Sequence, residues 1–259
     1  MEKTSTIEVA ISRLIDKGWR PFAVGVAVCI GLYGGYVAYS FVKSNQEKKA
    51  QEQLFTLQKE LNQKQEELLK ANQADQNEDK IGDKKNDKKN KDKSKESPAV
   101  VKNPETFKTH FSSLSDQFTQ FIKQQSGHKA ALIAAVDIAG LAYEYKNFEL
   151  SVEVLNSVVN TLSDKDVFSG LIRTQLGSSL MELKKYPEAK AQFQKIIDAE
   201  GLKSFHPQAL LLNGVCALET GDFDGAQFSF SRLEQDFPLT GAANSAKDFK
   251  KLIALKKGT

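Results

Sequence analysis

The 259-residue chain is poor in the residues that most chemistry requires: it has two cysteines, three histidines and one tryptophan. Cys29 and Cys216 lie far apart, and Cys29 falls inside an apolar block, so no disulfide framework and no CxxC pair is available. His110, His128 and His206 are scattered, with no carboxylate or second histidine at metal-ligand spacing. There is no glycine-rich phosphate loop and no GxSxG turn. Net charge is also scarce, +3 from 36 basic and 33 acidic residues, so nothing in the totals points to a nucleic-acid partner. These shortages predict no catalytic residue, no metal, no cofactor and no small-molecule substrate. Cys216, among Val215, Ala217 and Leu218, reads as a buried small hydrophobe.

Apolar residues are missing altogether from one stretch. Between Asp75 and Pro98 only Ile81 is large and apolar, and eight lysines face seven acidic residues. Such a polyampholyte cannot bury enough surface to offset its ordering entropy, and residues 75–104 are expected to be a disordered spacer. Before it, Leu54, Leu57, Leu61 and Leu68 step by threes and fours through Lys64. Two heptads are too few for a convincing coiled coil, so 43–74 reads as a helical stalk that pairs weakly.

What the chain does have is one long uncharged run. Phe22 to Val42 carries no charge and is bounded by Arg20 and Lys43. At about 1.5 Å per residue it spans roughly 30 Å, the thickness of a bilayer's hydrocarbon core. Trp19, Tyr36 and Tyr39 stand near its ends, where amphipathic rings favour the headgroup zone. A cleaved signal sequence has a shorter apolar core, so 22–42 is expected to be a retained transmembrane helix after an N-terminal tail, 1–21. Lysines and arginines flank both ends almost equally, and charge alone leaves the orientation open. Ala23, Ala27, Gly31 and Gly35 form a small-residue face on which a membrane partner, or a second copy, could pack.

The last 155 residues repeat. Phe148, Tyr186 and Phe223 are spaced by 38 and 37 positions, and their surroundings agree. Four residues before each stands a glutamate (Glu144, Glu182, Glu219), and nine before it a small residue (Ala139, Gly177, Gly214). Three after it come Ser151, Ala189 and Ala226, and four further on Leu155, Phe193 and Phe230. Self-similarity at this period, with helical periodicity inside each unit, predicts an all-α solenoid over 105–259. It should contain about three helix pairs, an extra N-terminal helix and a C-terminal capping helix. The expected helices are 105–125, 129–145, 148–162, 167–184, 187–199, 206–220, 223–236 and 240–256, with Pro187 starting one and Thr240 capping the last. Longer turns are expected at Ser163 to Asp166 and Gly201 to Pro207.

These positions resemble the tetratricopeptide repeat, in the second unit through Leu176-Gly177, Leu180, Tyr186, Ala189 and Phe193. In such solenoids the first helix of each pair lines the concave side. By repeat position that side would show Ile133, Val136, Gly140 and Tyr143, then Leu171, Thr174, Ser178 and Met181, then Gln208, Leu211, Val215 and Leu218. This is too apolar to be left in water. Either it receives a segment of another protein, or the helix 105–122, with its stripe Phe107, Phe111, Leu114, Phe118 and Phe121, already fills it.

A short tail, one membrane helix and a degenerate three-unit repeat domain together are similar to the YfgM family of bacterial inner-membrane proteins. The resemblance covers about 1–45 and 105–238, best over Ala131 to Leu162 and Leu171 to Phe230; the lysine-rich spacer departs from it. It implies a single-pass inner-membrane protein with its N-terminus cytoplasmic and its repeats periplasmic. The implied role is an ancillary part of the Sec translocon beside the chaperone PpiD, assisting export and folding. A different membrane-tethered adaptor or import receptor, or a regulator that recruits an enzyme, would share the same architecture.

Overall fold

The computed structural model describes residues 36, 40–71, 101–163 and 165–257, and it divides into two units, Met1–Gln51 and Glu52–Thr259. In the first unit, residues 40–51 are helical. Most of the expected membrane span, with Ala23, Ala27, Gly31 and Gly35, lies outside the described residues, as does nearly all of the spacer. Among the described residues no helix is long and apolar enough to cross a membrane.

The second unit is all-helical among its described residues. Helix α1 comprises residues 52–71. After it come α2 (Pro104–Gln124), α3 (Lys129–Glu144), α4 (Phe148–Val159), α5 (Val167–Glu182), α6 (Tyr186–Ile197), α7 (His206–Glu219), α8 (Phe223–Asp236) and α9 (Gly241–Lys257). From α2 on, each helix packs against the next, and α3 also touches α5. That arrangement is the stacked helix-pair order of an α-solenoid. The helix ends expected from sequence fall within about three residues of those observed.

Local chemistry sets these ends. Asn103 accepts from the Thr106 N–H with Pro104 just inside α2, Asp166 accepts from the Phe168 N–H, and Asp222 from the Gly225 N–H. Thr240 accepts from the Ala243 N–H, the cap expected for α9. At the other ends, Lys146, Lys184 and Gly221 occupy equivalent positions, all with left-handed φ, of 59°, 59° and 76°. In each turn the next residue's N–H returns to a helix carbonyl: Asn147 to Ala142, Lys185 to Leu180 and Asp222 to Ala217. This double-bonded stop terminates α3, α5 and α7 identically and sets the direction of α4, α6 and α8.

Packing explains the small-residue positions. A Cβ on Gly177 would lie 2.5 Å from the Phe193 ring, and one on Gly214 2.4 Å from Phe230. The glycines let the phenyl rings sit directly on the helix backbone. Unit one holds Ala139 and Leu155 at the same two places, both fully buried, so a larger small residue faces a smaller large one. Its Ser151, where the other units have alanine, is 2.8 Å from the Ser179 hydroxyl in the buried contact between α4 and α5. No buried side-chain nitrogen or oxygen among the described residues lacks a partner.

Two places differ from the sequence reading. The turn expected at Gly201 to Pro207 is largely a 3-10 helix, Glu200–Phe205, packed on α5, α6 and α7. Its Leu202 is fully buried, and its Phe205 ring covers Gly170, so the extra length of this repeat is occupied by apolar packing. Residues 52–71, expected as a stalk apart from the repeats, lie in the same compact unit with Leu54, Leu61 and Leu68 buried. Gln125 bonds Gln53 and Gln58 bonds Asp137, which runs α1 antiparallel to α2 and alongside α3. Helices α1 and α2 thus stand to α3 and α4 as one more helix pair. A short apolar seam buried against α2 and α3 has no need of another chain.

Candidate functional site

The eight proposed groove residues sit on the first helices of the three units. Ile133, Val136 and Tyr143 on α3, Met181 on α5, and Leu211, Val215 and Leu218 on α7 are half-buried, and Leu171 on α5 is 40% exposed. Their neighbours one residue on, Ala134, Ile172 and Cys216, are fully buried. Each of these helices therefore keeps one face in the core and offers an adjacent aliphatic strip outward. Helix α2 packs on α3, and Phe107 and Phe111 of its aromatic stripe meet Tyr145 edge-on, with ring centres 6.1 and 5.3 Å apart.

The structure joins the strips of units one and two at one end. The Tyr143 hydroxyl donates to the Glu182 carboxylate at 3.2 Å, and its ring packs edge-on against Phe148 at 5.2 Å. Burial and the adjoining carboxylate push the Tyr143 phenol above its usual range. Desolvation and the nearby Glu219 carboxylate of unit three do the same for Tyr186 of unit two. Glu144 takes the ammonium of Lys102 at 2.6 Å. The repeated glutamates therefore serve as helix-end contacts between successive units. Between α5 and α7 the Glu200–Phe205 turn is packed against both.

Sequence reasoning missed the wall that α1 supplies. A cleft of about 650 Å³ is lined by Phe55, Gln58, Leu61, Asn62 and Glu66 of α1 and by Asp137 of α3, which is the residue after Val136. Burial holds the Asp137 carboxyl above the usual range, opposed by the amide of Gln58. Phe55 is 68% exposed here. The available signal was the four-leucine seam, which needed a cover; Phe55 lies beside it rather than on it.

The described residues contain no group of three or more histidine, cysteine, aspartate or glutamate side chains placed to hold a metal ion. Cys216 is fully buried on α7, and burial pushes its thiol up to about 12, which disfavours the thiolate at neutral pH.

The described residues define an all-helical protein whose stacked helix pairs have the order of an α-solenoid. No family model matches the chain. It is similar to the ancillary SecYEG translocon subunit of Aggregatibacter actinomycetemcomitans, with 29% identity over 127 residues. The match covers 47% of this chain and 57% of that protein, so the chain spans little more than half the length of this curated relative. The match supports the resemblance to the YfgM family.

Proposed function

We propose that the chain is a membrane-anchored tetratricopeptide-type scaffold that binds other proteins as an ancillary subunit of the Sec translocon. The observation that carries this reading is the similarity to the Aggregatibacter subunit, on a chain whose repeats present partly exposed aliphatic strips. The uncharged run 22–42 would be the single inner-membrane span, with the tail 1–21 cytoplasmic and the repeats periplasmic. The lysine-rich stretch would be an insert between α1 and α2. Ala23, Ala27, Gly31 and Gly35 would pack on a membrane partner. The strips on α3, α5 and α7 would take a partner segment, from the translocon or from a periplasmic chaperone such as PpiD.

The test is in-cell photocrosslinking from Leu171, Leu211 and Leu218, with protease accessibility in intact and permeabilised cells. Translocon or chaperone subunits captured from a periplasmic domain are the expected result. A cytosolic repeat domain, or capture of neither partner, refutes the translocon assignment.

A further inference from the structure

The apolar strips are followed at one end by a carboxylate in every unit, with lysines in the turns just beyond the first two. The last groove position in each unit, Tyr143, Met181 or Leu218, is succeeded directly by Glu144, Glu182 or Glu219. These glutamates close α3, α5 and α7, where the aligned peptide dipoles already place partial negative charge. A carboxylate there opposes its own helix, so helix stability does not account for three of them. Their intramolecular partners leave most of the charge in place. Lys102 neutralises Glu144, whereas Glu182 accepts from the neutral phenol of Tyr143 and Glu219 lies near that of Tyr186. The turn lysines Lys184 and Lys185 are exposed, and no salt bridge among the described residues joins them to Glu182. None of the twelve groove positions is lysine or arginine. On the α1 side, next to Val136, Asp137 shares its cleft with both Glu66 and Lys59.

We infer that the groove takes an amphipathic segment of a partner protein whose apolar side chains seat on the strips of α3, α5 and α7 and whose lysines or arginines lie along Glu182 and Glu219. This rests on the groove reading above and adds the chemistry of the occupant. The charge pattern argues for it because the chain as a whole is net positive, +3, and does not attract cations in general. The attraction would come from the ends of α5 and α7, where no salt bridge among the described residues engages Glu182 or Glu219, and it would fix the direction in which a segment lies.

The test uses the full chain in lipid nanodiscs and three synthetic 18-residue amphipathic helices carrying a benzophenone. All have the same leucine face, and the polar face is lysine, glutamine or glutamate. Crosslinks are mapped by mass spectrometry. The Leu/Lys peptide should label the strips of α3, α5 and α7, and its yield should fall about threefold to tenfold in Glu182→Gln/Glu219→Gln. Glu149→Gln/Glu153→Gln on α4 makes the same change in net charge and should leave the yield unchanged. Equal labelling by the Leu/Gln or Leu/Glu peptide, or an equal fall in the α4 variant, overturns the inference while the groove reading stands. If no peptide labels the strips, or Leu171→Ser/Val215→Ser leaves labelling intact, the groove reading itself fails.

Discussion

Replacing Gly177 with alanine tests whether the crossing of the helix pairs is set by a ring resting on bare backbone. The added methyl would stand 2.5 Å from Cε1 and Cζ of Phe193, a ring with no solvent exposure and nowhere open to move. Overpacking of this kind costs about 1–3 kcal/mol, offset by about 1 kcal/mol from the better helix propensity of alanine. Two ring atoms at 2.5 Å put this site in the upper part of that range, about 2–3 kcal/mol, so Gly177→Ala should destabilise by about 1–2 kcal/mol net, or roughly 2–8 °C in melting midpoint for a domain of this size. Phe193→Leu alone leaves a void and should cost about 1–2 kcal/mol. The double variant recreates the Ala139–Leu155 combination of unit one, so it should be no worse than Phe193→Leu by itself. That outcome requires a coupling of at least about 1 kcal/mol, well beyond the scatter of independent sites. Urea unfolding of the full chain in detergent, followed by far-ultraviolet circular dichroism, reads all three. A neutral Gly177→Ala, or a double variant equal to the sum of the singles, would refute the argument. Gly140→Ala is the control, because its Cβ meets only the flexible end of Gln175 at 3.3 Å, and it should be neutral or slightly stabilising.

Lys146→Gly and Lys184→Gly should each stabilise by about 0.5–1 kcal/mol, since both lysines hold the left-handed conformation that Gly221 supplies in unit three; unchanged unfolding midpoints would count against this. Cys216 should resist iodoacetamide at pH 8 in the folded chain and react after denaturation, read by mass spectrometry of its peptide, because its buried thiol is pushed up to about 12. Asp222 is held below its usual range first by the Gly225 N–H and then by Lys190. Its contribution is thus complete above the unfolded carboxylate value of about 3.9 and is lost as pH falls through the lower folded value. Asp222→Ala should cost about 1 kcal/mol at pH 7 through the lost cap and show a flatter fall in melting temperature below pH 4 than the parent.

Most of the helical order was legible because the repeat reports it three times. A glutamate, a small residue and an aromatic at fixed offsets locate each helix pair, and Pro187 and Thr240 mark starts that the structure places within a residue. The left-handed turns were not legible at Lys146 or Lys184, because lysine carries no signal for positive φ. Only their alignment with Gly221 discloses them. The extra segment at Gly201 looked like a loop because it is rich in polar residues, yet Leu202 and Phe205 alone decide its burial. The position of α1 was hidden for a different reason. A stripe of leucines reads the same whether it faces another chain or its own, and the long polar stretch after it disguised α1 and α2 as unrelated segments. The aliphatic strips of the candidate groove follow from the same repeat offsets, but the α1 wall with Phe55 and Asp137 could not.

The helix-end glutamates tie the shape of the groove to its charge. Glu182 accepts from Tyr143 of the preceding unit, and Tyr143 is held in turn by the Phe148 ring. Lys102, just before α2, makes a salt bridge to Glu144, and Tyr186 lies near Glu219. Each exposed contact is worth little alone, about 0–1 kcal/mol, and the Tyr143–Glu182 bond is the one that links α3 to α5 at this end. At the other end of α5 and α7, the Glu200–Phe205 turn spaces the helices by packing instead. One edge of the strips is therefore polar and carries the three carboxylates, while the other is apolar and filled. A segment lying across the strips would meet a different chemistry at each edge, and could exchange bonds at the acidic edge without disturbing the core.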